Sequence, residues 1–163
     1  DAGSLLMAGS PGVLEACDPL LRILAPTWTN LGEDIRKPTI LSRALMVDVG
    51  MTLIGIVNGA TLARAGDISL DVFKEHANNV GSILAAEKSR LIEAIQDGNT
   101  QETQASITSW GEGQKAVRSV AQSLGTNLVL QDAVKTVFEE GEQLGLGEHD
   151  LSALVDVFSS ERT

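Results

Sequence analysis

The chain has 163 residues, enough for one ordinary domain or a small domain with an extension. Hydrophobic residues make up 43%, which suffices for a core, while aromatics are 3% and Tyr is absent, which excludes an aromatic platform for stacking nucleic-acid bases. Twelve Lys and Arg against 22 Asp and Glu leave a net charge of −10, and the cations are scattered singly, so neither nucleic acid nor a membrane surface is an expected partner.

The chain opens on "DAGSLLMAGS", apolar within a few residues and without a basic-then-apolar leader, as a piece cut from a larger protein would. "SLLMAG" reads as a short buried strand. "SPGVLEACDPLLRIL" reads as a helix starting at Ser10 and Pro11, with Val13, Leu14, Cys17, Leu20, Leu21 and Leu24 on one face. Pro19 is expected to kink or restart it. "PTWTNLG" follows as a second strand of β-branched and aromatic residues. Cys17, on the apolar face, is the single cysteine, so no internal disulfide forms and a reducing, cytoplasmic setting is expected.

A long helix is expected from Pro38 to about Ala65, ended by Gly66. Its apolar residues cover nearly every direction, as in the central helix of a bundle or an interface helix. Gly50, Gly55 and Gly59 with Ala60 and Ala63 offer close approach to another helix. Arg43, Asp48 and the glycines interrupt the stretch, and its uncharged part, Val49 to Ala63, falls below the roughly 18 apolar residues of a membrane span.

"DISLDVF" restarts a helix with Ser69 as N-cap, running to about Ile95 with a weak point near Gly81. After a turn at "DGNTQ", a third helix is expected from Thr100 to about Leu124 and a fourth from Val129 to Leu144. "GEHDLSALVDVF" gives a short last helix, with a polar tail behind it. His149 reads as a helix-start residue and His76 as solvent-facing; they stand too far apart to suggest a zinc site.

"AGSPGVLEACDPLLRILAPTWTNLGED" resembles the closing strand–helix–strand of the nucleotide-binding domain in the β-hydroxyacid dehydrogenase superfamily, which includes 3-hydroxyisobutyrate and 6-phosphogluconate dehydrogenases. "LGED", "DISLDVF" and "DAVKTVFEEGEQLGLGEHDLSALVDVF" are more similar to the imine reductases and reductive aminases of that group. The resemblance implies a mainly α fold, a 6-phosphogluconate dehydrogenase C-terminal-like helical bundle behind a short strand–helix–strand remnant of a Rossmann domain. Residues 1–34 would be that remnant and 35–163 the helical dimerisation and substrate domain. It also implies an NADPH-dependent oxidoreductase that reduces a C=N bond of a small imine, a homodimer through the long helix, and an active site shared between one subunit's nucleotide domain and the other's helical domain.

The family's glycine-rich fingerprint is missing. "GEGQKA", Gly111 to Ala116, matches its spacing but sits in a helical pattern, so it holds no phosphate and this chain alone is expected to bind NADPH poorly. The proton-transferring lysine and asparagine of the hydroxyacid dehydrogenases fall near Leu41 and near Ala44 and Leu45, none of which exchanges a proton. The aspartate that imine reductases often place at this turn falls at Ser42, whose hydroxyl hydrogen-bonds an amine but is a poor acid. A further polar position falls near Gly50 and Met51.

Asp48 is the remaining acid in the apolar run and the second catalytic candidate, against the alternative of a structural acid. Arg43, five residues earlier, does not share its face. Leu41, Met51 and Trp110 are the candidate substrate-binding residues, with a plain packing role as the alternative for Trp110. A non-catalytic helical dimerisation or binding module is the competing function.

Overall fold

The computed structural model describes residues 4–159. The polar tail expected after the last helix lies largely outside the described residues. The chain divides into two compact units, Asp1–Ile56 and Val57–Thr163.

In the first unit, strands β1 (Ser4–Met7) and β2 (Thr27–Asn30) pair in parallel, with Leu5 opposite Trp28 and Leu6 opposite Thr29. A parallel pair needs a crossover, and helix α1 (Pro11–Leu24) supplies it. Only the Leu14, Cys17, Leu21 stripe of α1 turns inward; Val13, Leu20 and Leu24 are exposed, so the apolar face is narrower than the sequence suggests. Pro19 neither breaks nor restarts the helix, which runs through it. The proline sits on the exposed side, and its missing N–H forfeits one intrahelical bond. Asp18 ties α1 to β2 by accepting from the Trp28 indole and from Arg22, both at 2.8 Å.

The "LGED" stretch is the joint between β2 and the long helix. Gly32 takes a positive φ of 85°, open to glycine, while its N–H bonds the Asn30 carboxamide. Asp34 then accepts from the Arg36 backbone N–H at 3.0 Å and holds the Arg36 guanidinium by two contacts, which starts helix α2 (Lys37–Ala65).

Helix α2 is continuous for 29 residues despite its three glycines. Its length corrects the view that the stretch is too interrupted for a membrane span: among the described residues it is the one helix long and apolar enough to cross a bilayer by length and composition. It ends in a turn at Gly66 and Asp67, and Asp67, not the glycine, adopts the left-handed conformation at φ 57°. Ala63 is its buried residue; the large apolar side chains from Ile40 to Val57 that ring it are largely exposed.

The second unit holds helices α3 (Leu70–Asp97), α4 (Ile107–Ser123), α5 (Val129–Gln143), a 3-10 turn (Leu151–Leu154) and α6 (Val155–Phe158). Ser69 caps α3 by accepting from the Val72 N–H, and α3 passes Gly81 unbroken to a left-handed cap at Gly98. The third helix begins at Ile107 and not at Thr100. The Thr103 hydroxyl bonds both the N–H and the carbonyl of Ala105, and Ser106 caps α4 by accepting from Ser109. Short polar side chains that bond nearby backbone compete with helix in this way.

Helices α4 and α5 pack closely where glycines remove side chains. A Cβ on Gly111 would meet Phe138 at 3.5 Å, and one on Gly141 would meet Leu154 at 2.8 Å. Ile107, fully buried, fills the junction.

Candidate functional site

The start of α2 carries two of the positions to which the sequence points, Leu41 and Ser42. In the first unit a shallow cleft of about 350 Å³ is lined by Leu5 and Leu6 of β1 and by Pro38, Thr39, Ser42 and Arg43 of α2. Pro38 opens the helix in its first turn, where a missing N–H costs nothing, and Thr39 lies one turn before the consecutive pair Ser42 and Arg43. The cleft therefore combines a half-buried apolar wall, two hydroxyls and a guanidinium.

Ser42 lies in this cleft and is exposed there. Leu41 is half-buried, Asp48 is exposed, and Met51 is 58% exposed. At about 100° per residue, Leu41, Asp48 and Met51 share one face of α2, whereas Ser42 is turned away from it. Six residues also set Ser42 and Asp48 about 9 Å apart along the axis. They are two separate positions of one helix and not an acid–hydroxyl pair. Trp110 belongs to the second unit, on α4, and is 43% exposed. It leads an exposed apolar stripe with Val117, Val120 and Leu124.

Of the six cleft residues the sequence points to Ser42 alone; Leu5, Leu6, Pro38, Thr39 and Arg43 join it only in the structure. The signal that points to Arg43 is a guanidinium set directly after Ser42 in an otherwise apolar helix.

"GEGQKA" lies wholly within α4, with no strand or turn before it to present backbone N–H groups to a pyrophosphate. That stretch therefore forms no phosphate-binding turn, and no group of three or more His, Cys, Asp or Glu among the described residues could hold a metal ion. His149 precedes the true cap of the last turn, Asp150, which accepts from the Ser152 N–H at 2.9 Å.

Asp150 is the best-defined electrostatic centre of the second unit. It is 2% exposed and takes a 2.9 Å contact from Arg90 of α3, which also grips Glu87. Burial alone would raise its pKa, but hydrogen bonds, led by the Ser152 backbone and joined by Arg90, hold it below the usual carboxylate value. A second depression, about 430 Å³, opens beside this pair between the end of α3 and the loop at Asn99, Glu102, Thr103 and Gln104. Gln131 of α5 donates to Asn58 of α2 at 2.6 Å, a half-buried amide contact.

This architecture is a parallel strand–helix–strand followed by a mainly helical domain. Residues 34–160 match the family described as NADPH-dependent reductive aminase-like, C-terminal domain, and the chain belongs to that family. The fold agrees with an imine reductase variant from Myxococcus stipitatus in complex with NAD+, at TM-score 0.92 and 20% identity over 97% of this chain and 56% of that one. It agrees also with an imine reductase from Bacillus cereus, at TM-score 0.88 and 18% identity over 98% of this chain and 55% of that one. A reductive aminase from Aspergillus terreus in complex with NADPH and ethyl levulinate matches at TM-score 0.85 and 18% identity, over 96% of this chain and 54% of that one. The chain thus spans little more than half the length of these structures. A search of the curated proteins finds no match.

Proposed function

We propose that this chain is the C-terminal domain of an NADPH-dependent imine reductase-like enzyme, in which it forms a homodimer through α2 and contributes the substrate pocket. The observation that carries the reading is the family match over residues 34–160. The solved relatives with bound nicotinamide cofactors and a ketoester add support at the level of the fold. Residues 1–34 would then close a nucleotide-binding domain, and the cofactor would be held by residues outside this chain.

Within the reading, Ser42 hydrogen-bonds the substrate nitrogen from the cleft, against the apolar wall of Leu5, Leu6 and Pro38. Asp48 is the candidate proton donor. Much of the rate in such a site comes from holding a preformed iminium in place, which does not require an acid. Apolar Leu41, Ala44 and Leu45 stand where hydroxyacid dehydrogenases carry their lysine and asparagine, and none of them exchanges a proton in alcohol oxidation.

The competing reading, a non-catalytic dimerisation module, is favoured by the serine at the position where an acid is expected. In the full-length protein with NADPH, reduction of a neutral cyclic imine well above background is the expected result. Oxidation of a 3-hydroxy acid at a higher rate contradicts the proposal, and no turnover of either favours the module.

A further inference from the structure

We propose that the cleft at the start of α2 selects substrates carrying a carboxylate, bound by Arg43: an oxo acid, or the imine formed from one. The proposal rests on the reading of Ser42 as the residue that faces the C=N nitrogen. Ser42 and Arg43 are consecutive and line the same cleft with Thr39. A hydroxyl and a cation are therefore presented within the reach of one short carbon chain. Leu5, Leu6 and Pro38 give that chain an apolar wall.

The guanidinium is suited to the task, and among the described residues no ion pair holds it. A planar guanidinium matches a carboxylate by two parallel hydrogen bonds, which a point charge does not. Arg22, Arg36, Arg90 and Arg118 are each spent on an internal acid: Asp18, Asp34, Glu87 with Asp150, and Asp132. Among the described residues Arg43 makes no such ion pair and lies in a cleft. The net charge of −10 repels a free carboxylate from the surface at large, so an anionic substrate that docks here must be met by a local cation. The same field disfavours an anion at sites that lack one. An open cleft with a single arginine gives weak binding, and its selectivity for the charged ligand is the informative quantity.

The test is a titration of the ¹⁵N-labelled chain with 4-oxopentanoate and with its neutral ethyl ester, followed by amide and arginine side-chain shifts. The acid is expected to move Thr39, Ser42 and Arg43 saturably and to bind at least about fivefold tighter than the ester. Arg43→Gln is expected to bring the acid down to the level of the ester, and Arg43→Lys to restore part of the difference, both with unchanged circular dichroism. Equal binding of acid and ester, no binding of the acid, or full binding of the acid by Arg43→Gln overturns the proposal. Reduction of a neutral cyclic imine by the full-length wild-type protein tests the underlying reaction without reference to charge. If that fails while Arg43 still discriminates, the reaction reading falls and the carboxylate contact stands; if it succeeds without discrimination, the carboxylate proposal alone falls.

Discussion

Asp150 shows how one residue ties separate segments of the second unit together. Its carboxylate caps the last turn and meets Arg90 of α3, and its N–H bonds the Thr100 carbonyl. Because its folded pKa lies below 3.8, its contribution to stability is complete above the unfolded value of about 3.9 and is lost as pH falls through the folded value. Acid unfolding followed by circular dichroism should therefore show a carboxylate-linked loss below about pH 4 that Asp150→Asn removes. At neutral pH, Asp150→Ala should cost about 2 kcal/mol in urea unfolding. That allows about 1 kcal/mol for the lost cap and discounts the ion pair for the partial exposure of Arg90. At the candidate site, Ser42→Ala in the intact enzyme should lower imine turnover about tenfold, the scale of one hydrogen bond. Asp48→Asn that leaves the pH–rate profile unmoved would make Asp48 structural.

At the scale of the elements, the glycines separate positions that need a bare backbone from positions that merely tolerate one. Gly113 lies in mid-α4 with nothing within 4 Å of a built Cβ, so Gly113→Ala should stabilise the fold by about 0.5–1 kcal/mol. Gly125 ends the turn after α4 at φ 69°, so Gly125→Ala should destabilise it by about 1 kcal/mol. Thermal melts of the two variants should move in opposite directions. Helix existence was legible from periodicity, and starts and stops were legible where a serine cap or a glycine marked them, as at Ser69, Gly98 and Gly145. The late start of α4 was not, because Thr103 and Ser106 spend their hydroxyls on the backbone and only the folded loop shows it. The cleft was legible by half: Ser42 and Arg43 are neighbours in sequence, but Leu5 and Leu6 reach them only through the fold.

At the scale of the molecule, α2 poses the energetic question. Ten of its large side chains, Ile40, Leu45, Met46, Val47, Val49, Met51, Leu53, Ile54, Ile56 and Val57, are each at least 46% exposed. Contiguous apolar exposure on this scale marks an association surface, and a twofold pairing of the same helix is the simplest closed cover. Arg43 and Asp48 within the helix weigh against lipid as that cover. Gly55 sharpens the case, since a built Cβ meets nothing within 4 Å in the chain itself. In an isolated chain, loss of this glycine should favour the helix by roughly 0.5–1 kcal/mol. A broken association in Gly55→Leu would therefore report a second copy packed there.

Light scattering coupled to size exclusion measures this directly at micromolar concentration. The wild type is expected at a mass of twice 17.2 kDa, and the Gly55→Leu variant is expected to lose the dimer or aggregate. A monodisperse, fully helical wild-type species at 17.2 kDa, with Gly55→Leu indistinguishable from it, would contradict the dimer.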